Sequence, residues 1–177
     1  GPTEGDGFFA ISADDGDRDH EEEEEQYGEK VDGAPLAPLC DVGKSNYVGV
    51  FGTFEVDEYP AAGDGMFFRN SRLGMKDILD GSSKTLVVGE RKSKLGGSTW
   101  TGVLLGAKAS LPRVVGVADH APNDPHHHFD DFTSNHPAGV NFLLGDASVR
   151  RFDDSIDVLV FKALCTRAGS ESAAIPD

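Results

Sequence analysis

Short apolar runs, separated by glycine and proline, dominate the chain from residue 45 onward. Runs of this length that are rich in β-branched and aromatic residues and bounded by turn residues are typical of β-strands. The two runs on either side of residues 145–148 have the spacing of antiparallel strands joined by a tight turn. The predicted strands are residues 45–53, 85–90, 100–105, 114–117, 140–144 and 149–152.

The last apolar segment has the spacing of a helix. Its apolar residues recur at i, i+3, i+4, i+7 and i+8, so they share one face of a helix predicted over residues 156–167. Ser155 can cap the start of this helix, and Gly169 can end it. The apolar positions are Ile156, Leu159, Val160, Ala163 and Leu164. A helix after a series of strands predicts an α+β fold, with a mostly antiparallel sheet and the C-terminal helix packed on it.

The first part of the chain differs in composition from the rest. Residues 1–33 are rich in Gly, Asp and Glu, with a glutamate run at 21–25, and they predict a mobile acidic segment or a long loop. Apolar residues within 8–11 predict one short anchored strand there. The Gly-Pro dipeptide at the start resembles the remnant of a cleaved tag. Residues 34–177 are predicted to form a single domain.

The net charge limits the classes of partner. The 177 residues carry a formal charge of −15, which argues against nucleic acid or an anionic membrane surface, because both would be repelled. No stretch approaches the roughly 18 consecutive apolar residues of a bilayer-spanning helix, so the chain as given is not expected to cross a membrane. Cys40 and Cys165 could form one disulfide, and two cysteines alone do not decide the redox compartment.

A polar loop is predicted over residues 119–135, and its histidines and aspartates are the main candidates for chemistry. Imidazole and carboxylate groups are the usual ligands of zinc, so a metal site is one hypothesis. Calcium, which prefers oxygen ligands, is the other ion considered. Adjacent histidines on an extended chain point to opposite sides, so the alternative is a polar surface loop without metal. The candidate ligands are His120, His128, Asp130 and His136.

A metal-assisted hydrolase is the competing enzyme class. It would need three converging protein ligands and an open position for water. The chain contains no G-x-S-x-G nucleophile elbow and no Walker phosphate loop. No catalytic residue is therefore assigned. The residues available to such a hydrolase are His120, His128, His136 and Asp146.

Several segments of the chain resemble, in order, the inner motifs of a known family. Nine residues separate His136 from Asp146, which is similar to the H-X(9)-DG signature of a large planctomycete family of prepilin-like proteins of unknown function. Ala147 stands where that signature has glycine. Because glycine tolerates a positive φ, Gly145 is expected to supply this freedom instead. The segments are residues 45–53, 77–91, 134–150 and 163–169.

The resemblance implies a pilin-like domain that is exported to the cell envelope, on its periplasmic or extracellular face. A type IV prepilin signal and a hydrophobic N-terminal helix would precede the domain in the native protein and would have been removed here. The protein would be a structural or interaction subunit of a pseudopilus or of a related secretion assembly. Its partners would be like subunits or other pseudopilins, contacted through that helix, which would anchor the protein in the membrane before assembly. The motif residues with an expected structural role are His136, Gly139, Asn141 and Asp146.

Overall fold

The computed structural model describes residues 8–12, 38–93 and 97–170. Within these residues the strands form two sheets, and one α-helix follows the last strand. Most strand pairs are antiparallel, which confirms the predicted α+β class with a C-terminal helix. The elements are β1 (Phe8–Ser12), β2 (Pro38–Gly43), β3 (Tyr47–Gly52), a 3₁₀ turn (Met75–Asp77), β4 (Leu86–Glu90), β5 (Val115–Val117), β6 (Val140–Leu144), β7 (Val149–Phe152) and α1 (Val158–Cys165).

The larger sheet has the strand order β5-β3-β4-β6-β7. β3 pairs in parallel with β5, and the other neighbours in this sheet are antiparallel. β6 and β7 form the predicted hairpin, with Val140 opposite Phe152 and Leu143 opposite Val149. Because β4 and β6 are antiparallel, Glu90 at the end of β4 lies beside the start of β6.

Aromatic rings form the centre of the core between the larger sheet and α1. The ring centroid of Phe142 is 5.1 Å from that of Phe132. It is 5.6 Å from the centroids of Phe152 and Phe161, within the range of favourable tilted and edge-on ring contacts. Gly89 of β4 permits this packing, because a Cβ there would lie 2.4 Å from atoms of Phe132 and Phe142. A larger residue at that position would force the rings apart.

The cap of α1 differs from the prediction, and the helix is shorter than residues 156–167. The Asp157 carboxylate accepts hydrogen bonds from the amides of Leu159 at 2.8 Å and Val160 at 3.3 Å. Asp157 therefore caps the helix, and the prediction of Ser155 as the cap is wrong. Aspartate in this position satisfies amides that have no partner within the helix.

The buried face of α1 is only partly the predicted one. Phe161, Leu164 and Cys165 are buried, whereas Leu159 is 72% exposed. Apolar residues lie on nearly all sides of α1, so their spacing alone does not decide which face is buried. Contact with the aromatic core selects the face that carries Phe161. The helix ends at Cys165, and Gly169 does not cap it. Among the described residues, no helix reaches the length and apolar character of a membrane span.

Residues 100–105 form no strand, so that prediction is wrong. Gly102 and Gly106 have φ values of 101° and 75°, which belong to turns that glycine adopts readily. Leu105 is 92% exposed. The apolar residues of this segment therefore lie in turns at the surface.

The segment 119–135 contains no helix or strand, but it is not wholly a surface loop. Its last part enters the core, where Asp131, Phe132 and Thr133 are at most 1% exposed. The amide of Val117 in β5 donates to the carbonyl of Asp130 at 2.9 Å, so the loop returns beside that strand. Polar residues can be buried where hydrogen bonds satisfy their polar groups. The sequence alone does not show which polar residues are placed in this way.

The strand predicted near the start of the chain is confirmed. β1 pairs antiparallel with β2. Phe9 and Ile11 pack with Val42 and Ala107 in a second, smaller core. The glutamate run at 21–25 and the rest of the predicted mobile segment lie outside the described residues.

Both cysteines are free in the structure. Cys40 is exposed in β2, and Cys165 is buried in α1. Burial and the nearby Asp64 carboxylate raise the pKa of the Cys165 thiol well above its ordinary value. The disulfide that the sequence left open is therefore not formed.

Candidate functional site

Glu90, the last residue of β4, lies where three of the motif segments meet. Its carboxylate accepts a hydrogen bond from the backbone amide of Asn141 at 2.8 Å and from the Tyr47 hydroxyl at 3.2 Å. Nε2 of His136 lies 3.3 Å from Oε1 of Glu90. Glu90 itself is 7% exposed. These four residues, Glu90, Asn141, Tyr47 and His136, are called the Glu90 centre below.

The sheet register positions the members of the Glu90 centre. Tyr47 lies directly opposite Glu90 in the β3–β4 pair. His136 comes from the loop before β6, and its side chain is 57% exposed. Gly139 lets that loop approach the hairpin, because a Cβ there would lie 2.6 Å from the carbonyl oxygen of Phe152. One end of the sheet therefore brings together residues that are far apart in sequence.

The hydrogen bonds of the Glu90 centre keep its carboxylate ionised. Burial alone would raise the pKa of Glu90. Hydrogen bonds from Asn141 and Ser134, with the His136 imidazole nearby, outweigh burial and hold this pKa below the ordinary 4.5. Burial and the Glu90 charge raise the pKa of the Tyr47 phenol. At neutral pH Glu90 is thus a hydrogen-bond acceptor and is unsuited to act as a general acid.

Arg91, the next residue, is 1% exposed and binds the backbone of its own chain. Its Nε donates to the carbonyl of Asp131 at 3.1 Å, and its Nη2 donates to that of Val115 at 2.9 Å. Desolvation lowers the pKa of Arg91 to about 10, so the guanidinium stays charged at neutral pH. It ties the end of the 119–135 loop to β5. The carbonyls that accept its hydrogen bonds belong to Pro112, Val115, Asp130 and Asp131.

A second group of motif residues fixes the chain after α1. The Asp80 carboxylate accepts hydrogen bonds from the amides of Gly169 at 2.7 Å and Ser170 at 2.9 Å. Arg167 donates from Nη1 to two backbone carbonyls of the 63–65 segment, each at 2.7 Å. These charged side chains hold backbone groups of distant segments together.

The β6–β7 turn contains Asp146, ten positions after His136. Its Oδ1 accepts hydrogen bonds from the amide of Ser148 at 2.9 Å and from the Ser148 hydroxyl at 2.6 Å. These bonds lower the pKa of Asp146. Ala147 adopts the positive φ, at 67°, so the expectation that Gly145 would do so is wrong. Gly145 leaves little space for a side chain, because a Cβ there would lie 2.9 Å from Cδ1 of Ile78 and 3.0 Å from the carbonyl oxygen of Ser82.

Two of the predicted metal ligands come together in the 119–135 loop. One ligand atom from each of Asp119, His120 and His128 lies within 4.8 Å of the others. The buried Asp131 carboxylate contacts Nδ1 of His120 at 2.9 Å and accepts the His128 amide at 2.7 Å. Lys162 of α1 donates to Oδ1 of Asp119 at 3.2 Å. Asp119, His120 and His128 are called the His120–His128 cluster below.

The other residues of the predicted metal and hydrolase sets have different partners. His136 belongs to the Glu90 centre, and Asp146 holds the β6–β7 turn. Burial raises the pKa of the Asp130 carboxyl to about 6, although the Arg91 charge opposes this rise. The structure therefore unites two members of the metal set with Asp119, which the set omitted.

Glu90 and Arg91 were not among the predicted site residues, although both lie in the segment 77–91. The available signal was a pair of adjacent charged residues at the end of the strand predicted over residues 85–90. Buried charges must be paired or hydrogen-bonded. A charged pair at the end of a central strand therefore indicates an internal hydrogen-bond network.

Comparison with family models places this chain among known sequences. A family model described as "Protein of unknown function (DUF1559)" matches residues 13–159, most of the chain. The chain belongs to the DUF1559 family. No curated protein and no solved structure matches it. The DUF1559 match contains the whole Glu90 centre and the whole His120–His128 cluster, whereas Arg167 lies beyond its end.

Proposed function

We propose that this DUF1559 domain is an exported, prepilin-like structural or interaction subunit of the cell envelope, in a pseudopilus or a related secretion assembly. The single observation that carries the proposal is that charged side chains of the motif segments form hydrogen bonds within their own chain. Glu90, Arg91 and Asp80 bind groups of their own chain. Motif residues used in this way specify a rigid body, which is what an assembly subunit requires.

The resemblance to prepilin-like proteins supplies the rest of the proposal. A hydrophobic helix preceding the domain would anchor the protein in the membrane before assembly and would contact like subunits or other pseudopilins afterwards. The formal charge of −15 supports a partner other than nucleic acid.

An ion-binding module is the second candidate, and the His120–His128 cluster favours it. A metal-assisted hydrolase has less support than a non-catalytic ion-binding module, because His136 and Asp146 contact other residues. Three converging ligands with an open water position would be needed for metal-assisted hydrolysis.

The experiment that tests the proposed function locates the native protein in its source organism. Intact cells are treated with protease, fractionated and probed for the domain beside one cytoplasmic and one envelope marker. Chemical crosslinking on intact cells then reports its neighbours. We expect the domain in the envelope fraction, with crosslinked species that contain further copies or other pilin-like subunits. Recovery with the cytoplasmic marker, without crosslinked neighbours, would refute the proposal.

A further inference from the structure

The His120–His128 cluster is held in place by a carboxylate that does not belong to it. Asp119 and His120 follow β5 after a single residue, Ala118, and the loop then returns so that His128 lies beside them. The Asp131 carboxylate fixes both sides, since it contacts Nδ1 of His120 at 2.9 Å and accepts the His128 amide at 2.7 Å. Asp131 is itself 1% exposed. The loop geometry is therefore fixed without any ion.

The contact between Asp131 and His120 also decides which ring nitrogen of His120 is available to a ligand. With Nδ1 bound to a carboxylate, Nε2 of His120 is the nitrogen left to bind a ligand. Metal-binding histidines usually donate their other ring nitrogen to a carboxylate or a carbonyl in this way. The two imidazole rings are 4.8 Å apart between centroids and lie nearly perpendicular.

The spacing of the ligand atoms suits a small divalent ion. In a tetrahedral zinc site the ligand atoms are about 3.3 Å apart, as follows from bonds of about 2.0 Å. One potential ligand atom from each residue of the cluster lies within 4.8 Å of the others. Side-chain rotations that move each of these atoms by under about 1 Å would therefore bring them to the spacing of a zinc site. His128 is exposed and free to make such a rotation.

The local charge also favours a cation. The carboxylates of Asp119 and Asp131 lie in this region, and the Glu55 carboxylate is close enough to interact electrostatically with Asp119 and His128. The Lys162 ammonium contacts Oδ1 of Asp119 at 3.2 Å, and Oδ2 of Asp119 lies 3.6 Å from Nδ1 of His120. Two imidazoles in the ligand set favour zinc and related transition metals over calcium or magnesium.

We propose that Asp119, His120 and His128 bind one zinc-class divalent ion, with Asp131 as the residue that positions His120. Three protein ligands leave a fourth position for water or for another carboxylate. The ion would join the start of the 119–135 loop, just after β5, to the part of the loop that carries His128. This proposal is independent of the envelope role proposed above.

The test uses the full 177-residue chain, stripped with EDTA and titrated with zinc against a chromogenic chelator. We expect one zinc per chain. His128→Ala should weaken zinc binding at least about tenfold, and Asp131→Asn should weaken it about 10- to 100-fold. His126→Ala is the matched control, because His126 lies in the same loop with its side chain 84% exposed. This control should bind zinc as the parent does.

Three further measurements accompany the titration. Circular dichroism of the metal-free variants confirms that each remains folded. Zinc at about 100 times its Kd should raise the Tm of the parent by about 5–11 °C, and His128→Ala should lose this shift at the same zinc concentration. Cobalt(II) should give the intense visible absorption of a four-coordinate site in the parent.

The proposal is overturned if the parent binds no stoichiometric zinc. It is also overturned if His126→Ala and His128→Ala weaken binding equally, because that result means nonspecific capture by a histidine-rich loop. A weak, six-coordinate cobalt spectrum that is the same in parent and His128→Ala would lead to the same conclusion.

Discussion

Replacing Glu90 with alanine removes the acceptor at the centre of the motif network. The Asn141 amide, which donates to Glu90 at 2.8 Å, would lose its partner in a site where Glu90 is only 7% exposed. An unsatisfied buried donor costs about 1–3 kcal/mol. The Tyr47 hydroxyl adds little, because Tyr47 is 45% exposed and can bind water instead. For a domain of this size we expect Tm to fall by about 2–12 °C.

Glu90→Gln separates the charge of this side chain from its shape. Glutamine keeps an oxygen that can accept the Asn141 amide, so its cost should be smaller than that of alanine. The pKa of Glu90 lies below the ordinary 4.5, so ionised Glu90 stabilises the folded state above that pH. This contribution is lost as the pH falls through the folded-state pKa. The stability gap between parent and Glu90→Gln should therefore be constant near neutral pH and close in acid.

Urea unfolding followed by circular dichroism between pH 3 and pH 8 measures both effects. Glu58→Ala serves as the control, because Glu58 is an exposed glutamate and exposed substitutions usually change stability by less than about 0.5 kcal/mol. If Glu90→Ala unfolds at the same urea concentration as Glu58→Ala, the network does not stabilise the domain. A gap between parent and Glu90→Gln that widens in acid would contradict the assigned direction of the pKa.

Three other predictions address the turn, a buried carboxyl and the thiols. Ala147→Gly should raise Tm by about 1–4 °C. The left-handed conformation costs alanine about 1–2 kcal/mol, and the greater chain entropy that glycine loses on folding offsets about 0.5–1 kcal/mol of the gain. Ala62→Gly, at an exposed position without a positive φ, should lower Tm. Asp130 has a pKa raised to about 6, so Asp130→Asn should stabilise the domain above that pH, with a gain that disappears below the ordinary 3.8; a loss of stability at pH 8 would contradict this. With a thiol reagent, Cys40 should react in the folded protein and Cys165 only after unfolding; no reaction before reduction would indicate a disulfide.

The sequence by itself determined the local elements of the larger sheet. Strands β4, β6 and β7 follow from apolar runs of strand length, and the 145–148 turn follows from their spacing. These features depend on neighbouring residues, and local patterns report them well. The existence of a C-terminal helix was predicted for the same reason.

Only the tertiary structure decided which side chains meet. Glu90 binds Tyr47, 43 positions away, and Asn141, 51 positions away, because β4 lies between β3 and β6 in the sheet. The cap and buried face of α1 were set by contact with the aromatic core, and the burial of Asp131 by hydrogen bonds to the loop around it. Periodicity describes the two faces of a single element, whereas strand order and packing against distant segments determine the partners of each face.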